Sequence, residues 1–305
     1  MFIRKPMPEY PDITIYIERL QHFVGGQQLQ KVRIANPFFL RTFDPPIESI
    51  HGLKLKVIER IGKRMVFVLE NDYFLILHLM ISGRLYWHEA GYGIPRKKGL
   101  AALDFPNGTL LITEVSTKKR ASLHLIKGRK QLSSFNRGGL DVLDATIEEF
   151  SSTMKLENHT LKRALTDPRI LSGIGNAYSD EILHHAGLSP VLQTKFLTNA
   201  QIKTLYSSIR TILIERTQKM REEVGVGFPK KVTAFRDDMT VHGRFGKPCP
   251  KCGVKVQRIR YASNETNYCP GCQTQGKLLA DRSLSRLLKK DWPRTLEELE
   301  ELKGP

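Results

Sequence analysis

The sequence predicts an α+β multidomain chain: an N-terminal β-sandwich with a leading helix, a helical domain, and a C-terminal metal-binding ribbon. Three observations carry that prediction. Short β-branched and aromatic runs separated by turn signals fill the first half. From Ile147 the apolar residues recur at helical spacing instead. Cysteine occurs four times, as Cys249/Cys252 and Cys269/Cys272, two C-x2-C pairs with sixteen residues between them.

The leading helix spans Asp12 to Phe23, with Ile15, Ile17 and Leu20 on its apolar positions. Strands follow at Leu29–Ile34, Leu53–Ile61, Arg64–Glu70, Phe74–Met80 and Gly83–His88. Asn71-Asp72 and Asn107-Gly108 sit between apolar runs as hairpin turns. The domain so defined covers residues 7–128. Near Lys127–Gly139 the composition turns to Lys, Arg, Gln, Ser and Gly, which reads as a linker. A helical domain occupies 140–235. Its stripes run through Leu156, Leu161, Ala164 and Leu165, then Ala177, Ile182 and Leu183, then Ile202, Leu205, Ile209 and Ile212. Val224–Phe235 is a Gly-rich basic loop. The ribbon takes 240–276, and a tail with an acidic end takes 277–305.

Composition narrows the function. The net charge is +17, from 48 Lys and Arg against 31 Asp and Glu, and the isoelectric point is about 9.8. Such an excess implies a polyanionic partner, nucleic acid before membrane. No apolar run approaches the roughly 20 residues of a spanning helix; the longest, Tyr73 to Ile81, holds His78 and reads as a buried strand. No secretory or transit segment is visible, so a cytoplasmic, nucleoid-associated protein is expected. Nothing points to an oligomer, and a monomer is expected.

Two local patterns carry chemistry. The cysteine spacing is that of a zinc ribbon: two thiolates from each tight turn close a tetrahedral Zn²⁺ shell with no open position. One structural zinc is therefore expected, fastening a hairpin too small to fold alone. The alternative, two disulfides of a secreted domain, finds no support in the rest of the sequence. Lys247, Lys251, Lys255, Arg258 and Arg260 make the ribbon basic, as a phosphate-binding hairpin requires. In the second pattern, Asp167-Pro168 ends a helix, Gly173-Ile174-Gly175 makes a compact turn, and Asn176 caps the next helix. A helix start behind such a turn can hold a phosphate, although turns of this kind serve packing as well.

These pieces together resemble a known family. Gly173–Glu181, reading GIGNAYSDE, looks like the helix–two-turns–helix of the formamidopyrimidine-DNA glycosylase / endonuclease VIII family. Met7-Pro8-Glu9-Tyr10-Pro11-Asp12 is similar to its N-terminal motif. Gly62-Lys63-Arg64, with His78-Leu79 and Ser82-Gly83 after it, is similar to its hairpin lysine and following strand. The cysteines match its zinc finger. The motifs stand in family order across residues 7 to 275.

The resemblance implies a bifunctional DNA glycosylase and abasic-site lyase of base excision repair, acting on double-stranded DNA that holds damaged bases or abasic sites. It makes Pro8 the amine nucleophile and Glu9 the general acid/base. Lys63 assists near the lesion, and Asn176 holds a flanking phosphate. It implies a flipped base that the Val224–Phe235 loop could cover. The same scaffold as an inert DNA-binding relative is the alternative. A zinc-ribbon module of an RNA-processing or translation protein leaves the N-terminal motif unexplained.

The chain departs from the family pattern in three places. Six residues precede Met7, and an internal proline nitrogen is an amide without a usable lone pair; translation from Met7 and removal of that methionine would restore the amine. Asn264 stands five residues before the third cysteine, where the family carries an arginine, so β-elimination without efficient δ-elimination is expected, with Arg258 or Arg260 as partial substitutes. The residues that fill the gap left by a flipped base are changed: Met80 or Ile81 is the wedge, and the loop Ser116–Ser122 has no aromatic. Preference between oxidised purines and pyrimidines is therefore open.

Overall fold

The structure, a computed structural model, describes residues 7–230, 232, 236–261, 264–280 and 293–301, with only the backbone at Tyr261, Asn264 and Glu300. The segment before Met7, the Asn264 side chain, residues 231 and 233–235 of the basic loop, and much of the tail thus lie outside the described residues. The chain forms two compact units, Met1–Gly138 with Ile214–Ala234, and Gly139–Leu213 with Phe235–Pro305.

The first unit opens with helix α1 (Tyr10–Val24), which buries Ile13, Tyr16, Leu20 and Val24 on one face. Two four-stranded antiparallel sheets follow. One has the order β1 (Lys31–Ile34), β6 (Gly99–Phe105), β7 (Gly108–Glu114), β5 (Gly83–His88). The other has β2 (Leu55–Ile61), β3 (Arg64–Leu69), β4 (Tyr73–His78), β8 (Ser122–Lys127). The Asn71-Asp72 turn is present; the second hairpin turns one residue earlier than expected, at Pro106-Asn107, because Gly108 pairs with Phe105 and already belongs to β7. Asn71 and Asp72 both sit in the left-handed region, at φ 56° and 61°, as a twist-matched hairpin turn demands.

The unbroken apolar run of β4 has a structural cause. Leu75 and Leu77 face the main core, together with Met65, Phe67, Leu123 and Leu125. Phe74 and Ile76 face the other way, with Val66, Val68 and Ile126, under Leu132 and Phe135. Those last two belong to a 3₁₀ segment, Arg129–Phe135. The stretch read from composition as a linker is thus a lid on the outer face of the sheet. Burying Leu132 contributes about 1.5–3 kcal/mol, and the half-buried Phe135 adds to it.

The second unit holds α2 (Ile147–Leu156), α3 (Leu161–Thr166), α4 (Asn176–His185), the first part of α5 (Asn199–Val224), and the ribbon strands β9 (Gln257–Tyr261) and β10 (Asn264–Tyr268). A short helix, α6 (Pro270–Gln273), closes the ribbon, and α7 (Leu296–Glu301) lies in the tail. The ribbon's own apolar cluster is only Val241, Val256, Cys249 and Cys269, with Val254 and Cys272 against it. Among the described residues no helix is long and apolar enough to cross a membrane.

Candidate active site and metal centre

Pro8 and Glu9 run into the start of α1, and both are buried, Glu9 to 1% exposure. Glu9 is the N-cap, with extended backbone. Its N–H donates to Asp12 Oδ2 at 2.8 Å, and its carbonyl accepts from the Ile13 N–H at 2.9 Å. Pro11 presets the first turn, and Asp12 complements the helix dipole. Glu9 is therefore a buried carboxylate at a rigid helix start, the environment in which a general acid/base is held in one orientation.

The hairpin β2–β3 comes to the same place. Ile61 pairs with Arg64, leaving Gly62-Lys63 as a two-residue turn, with Gly62 at φ 59° as a glycine-first hairpin turn requires. The Arg60 guanidinium lies 4.4 Å from the Tyr10 ring centroid. Tyr10 is two residues from Pro8, and Arg60 is three from Lys63, so this contact fastens the lysine turn beside the start of α1.

Positive charge gathers behind the turn. Burial first, then the charges of Arg64, Lys63 and His124, push His78 down to about 3. Burial and the nearby Arg64 and Arg41 lower His124, and burial and Arg137 lower Arg64. Burial is the larger cause in each case, and the neighbouring cations add to it.

The wedge turn follows β4. Gly83 N–H donates to Leu79 O at 2.9 Å, and Met80 sits at φ 51°, a left-handed position that costs a side chain about 1–2 kcal/mol. Of the two candidate wedges Met80 is half-buried, whereas Ile81 is 41% exposed at the tip. Buried Glu114 ties this turn to the next loop. Its carboxylate accepts from Ser82 Oγ at 3.0 Å and from the N–H groups of Arg120 and Ala121 at 2.8 and 3.1 Å. The basic loop is anchored at its start: Phe228 packs on Tyr16, Phe23 and Trp87, and Arg19 donates to Gly227 O at 2.8 Å.

In the second unit Gly173 takes φ 82°, which gives the compact turn before α4. One expectation is corrected here. The N-cap of α4 is Gly175, and Asn176 is its first helical residue. The Asn176 amide instead donates to Glu265 O of β10 at 2.8 Å, since a partner from the ribbon outcompetes the local capping bond. Arg258 and Arg260 both reach Glu265 Oε2 at 3.5 Å, and Arg258 also lies 4.0 Å from the Phe245 ring centroid. Asn264 follows from the register, opposite Tyr261 and next to Glu265. Asn176, Arg258 and Arg260 thus meet at Glu265, with Asn264 placed next to it by register alone.

A set of residues that sequence reasoning missed docks the ribbon on α4. Asp180, fully buried, accepts from Lys162 Nζ at 2.5 Å, faces His242 Nδ1 at 2.7 Å and accepts from Asn267 N at 3.1 Å. Burial pushes its carboxyl up, but Lys162 and His242 outweigh that and hold it below the usual range. Glu181 accepts from the N–H groups of Thr240, Val241 and His242 at 2.7, 2.9 and 3.0 Å. The sequence signal was faint, since α4 mixes Asn, Ser, Asp, Glu and His with its apolar residues and yet is buried from Ala177 to His184.

The four cysteines converge as predicted. Cys252 and Cys269 sulfurs lie 3.3 Å apart and those of Cys249 and Cys272 3.9 Å, too far for disulfides, and all four are free thiols. Sulfurs about 2.3 Å from a tetrahedral ion lie roughly 3.8 Å apart, so the set fits a zinc ion. Burial pushes the Cys272 thiol up to about 11 and raises Cys269 as well; a bound cation reverses that by stabilising thiolates. His184 Nε2 of α4 stands 3.3 Å from Cys249 Sγ and belongs to the same potential metal cluster.

A basic chain with a buried carboxylate at a helix start, a cationic hairpin and a thiol ribbon defines a DNA-binding protein of the zinc-finger class. Comparison with known proteins narrows this further. Residues 7–127 match the formamidopyrimidine-DNA glycosylase N-terminal domain, 140–224 its H2TH domain, and 246–275 the zinc finger found in FPG and IleRS. The chain belongs to the formamidopyrimidine-DNA glycosylase family, and is thus related to DNA glycosylases for damaged DNA. It is 29% identical to the formamidopyrimidine-DNA glycosylase of Desulfitobacterium hafniense over 286 residues, covering 88% of this chain and 100% of the relative. It is 40% identical over 151 residues to an uncharacterised formamidopyrimidine-DNA glycosylase-like protein of Mycobacterium tuberculosis, 50% of this chain and 94% of the relative. Lactococcus lactis Fpg in complex with an oxidised-pyrimidine-containing DNA superposes with a TM-score of 0.77 at 26% identity, covering 88% of this chain and 100% of that one.

Proposed function

We propose that this protein is a bifunctional DNA glycosylase and abasic-site lyase. It excises oxidatively damaged bases from double-stranded DNA, working as a monomer at the nucleoid with one structural zinc. The observation that carries the reading is the buried Pro8-Glu9 pair at the start of α1, with the Lys63 turn fastened beside it by Arg60 and Tyr10.

The chemistry follows from those residues. The Pro8 amine gives its lone pair to C1′ of the damaged nucleoside as the glycosidic bond breaks, and the base leaves with a proton. Glu9 carries the proton traffic of that displacement. Loss of the amine proton leaves an aminal. The C1′–O4′ bond then breaks as O4′ takes a proton, and the open-chain product is a cationic iminium. It acidifies the 2′-proton, whose removal expels the 3′-phosphate by β-elimination. Lys63 offers positive charge to the lesion strand. Asn176, Arg258 and Arg260, at one edge of the ribbon, hold flanking phosphates, with the α4 N-terminus behind them. Asn264 supplies no positive charge there, so the cut stops at β-elimination and leaves an unsaturated sugar on one end, not phosphate on both. The zinc is held by Cys249, Cys252, Cys269 and Cys272 and keeps the ribbon folded.

The mechanism needs a secondary amine, so the active form begins at Pro8, after translation from Met7 and loss of that methionine. The test is borohydride trapping on a duplex with one abasic site. Two versions of the chain, starting at Met1 and at Met7, are compared, each with its mature N-terminal mass recorded. A covalent adduct only where Pro8 is the terminus is the expected result. No adduct from a folded, zinc-loaded chain with Pro8 at its terminus would discard the lyase and leave an inert DNA-binding relative.

A further inference from the structure

The ribbon offers a metal five donors rather than four. His184 Nε2, Cys249 Sγ, Cys269 Sγ and Cys272 Sγ all lie within 4.8 Å of one another, a complete set of four ligands without Cys252. Three of those four residues are buried and Cys272 is half-buried, whereas Cys252 is exposed. The imidazole is held where it stands. Its helix is pinned to the ribbon on the preceding turn, by Asp180 to His242 and Asn267 and by Glu181 to three backbone N–H groups. The 3.3 Å contact from His184 to Cys249 spans residues 65 apart in sequence.

We propose that His184 is a reserve zinc ligand. With Cys252 present, four thiolates hold the ion and the imidazole rests against Cys249. When Cys252 is lost, His184 completes a Cys₃His shell and the metal stays. This rests on the one-zinc reading of the ribbon. A Cys₃His shell is as closed and tetrahedral as Cys₄, so the exchange preserves the ribbon's geometry. The relevant loss is oxidation by a hydroperoxide, because Cys252 is the sulfur that solvent reaches. Its thiolate attacks one peroxide oxygen; the S–O bond forms as the O–O bond breaks. The sulfur is oxidised by two electrons, and the second oxygen leaves as hydroxide or alkoxide. An ordinary Cys₄ ribbon loses its zinc at that step, and this one is built to keep it.

The experiment compares full-length wild type, Cys252→Ala, His184→Phe and the double variant. Metal content per chain, the absorption spectrum of the Co²⁺-loaded forms and X-ray absorption of the zinc-loaded forms are recorded, with circular dichroism as the folding control. Wild type and His184→Phe should each hold one ion with a four-thiolate spectrum. Cys252→Ala should keep one ion, show the charge-transfer intensity of three thiolates, and carry the scattering of an imidazole ring. The double variant should bind zinc at least about tenfold more weakly than Cys252→Ala. Under hydrogen peroxide, wild type should release zinc to a chelating dye more slowly than His184→Phe. If His184→Phe does not fold, Cys252→Ala alone decides: water in place of the imidazole, or loss of the ion, overturns the proposal. Equal zinc affinity in Cys252→Ala and the double variant overturns it as well. A wild type without zinc would instead overturn the one-zinc reading itself.

Discussion

In the N-terminal unit, Pro8 and Glu9 stand at the start of α1, whose buried face joins a core rich in Leu, Ile, Phe, Val and Ala. In the C-terminal unit, α4 grips the ribbon through Asp180, Glu181, His184 and backbone N–H groups, around an apolar cluster of a few residues. In the first arrangement the apolar core holds the fold, and Glu9 adds a local capping box at the start of α1. In the second the apolar cluster is small, and buried charges on α4 hold the ribbon in place. A buried charge network of this kind is costly to break at one point, because the partner is stranded without water.

The largest expected effect tests the first half of that contrast. Glu9→Gln should slow base release by about 10²–10⁴-fold in single-turnover assays, while the weakened cap of α1 costs no more than about 1 kcal/mol in unfolding and duplex binding stays near wild type. A rate within tenfold of wild type would remove Glu9 from the chemistry. Next, Asp180→Ala strands Lys162 and should cost about 3–5 kcal/mol in urea unfolding. The joint replacement Asp180→Leu with Lys162→Met should recover only part of that, because His242 Nδ1 and the buried Asn267 N–H still lose their acceptor; complete recovery would mean that the Lys162 pair carries the whole effect. A smaller effect belongs to the ribbon edge. Arg258→Ala should reduce the slope of log affinity against log salt by about 0.9, equally for damaged and intact duplexes. An unchanged slope would place Arg258 away from the phosphates.

The smallest effect concerns His78. Its pKa in the fold is pushed down to about 3 by burial and neighbouring cations, below its ordinary value near 6.5. The unfolded chain therefore binds more protons there, and stability rises with pH through that window and is lost as pH falls below about 6.5. The urea midpoint should drop between pH 7 and pH 5, and His78→Gln should flatten that drop. Equal slopes in the two proteins would mean that other groups set the pH dependence.

Much of this molecule was legible in its sequence, for reasons that differ by region. The cysteine pairs are local spacing, and the Asn71-Asp72 turn is local backbone preference, so both could be read without a fold. Arg129–Phe135 misled because its polar residues hide Leu132 and Phe135, which matter only once β4 lies beneath them. Asn176 misled because the local capping rule competes with a carbonyl 89 residues away. Asp180, Glu181 and His184 were hard to read for the same reason, since their ribbon partners lie about 60 to 90 residues on. What sequence reasoning lost was the polar contacts made at long range, and those are the contacts that assemble the second unit's site.

Met80 has a consequence for anyone engineering this chain. It occupies a left-handed position that glycine would fill at no steric cost. A screen selecting only for heat resistance would therefore choose Met80→Gly early, and would report success. The same exchange loosens the turn that presents Ile81. A hardened protein obtained in this way should be checked on mismatched duplexes before it is called improved.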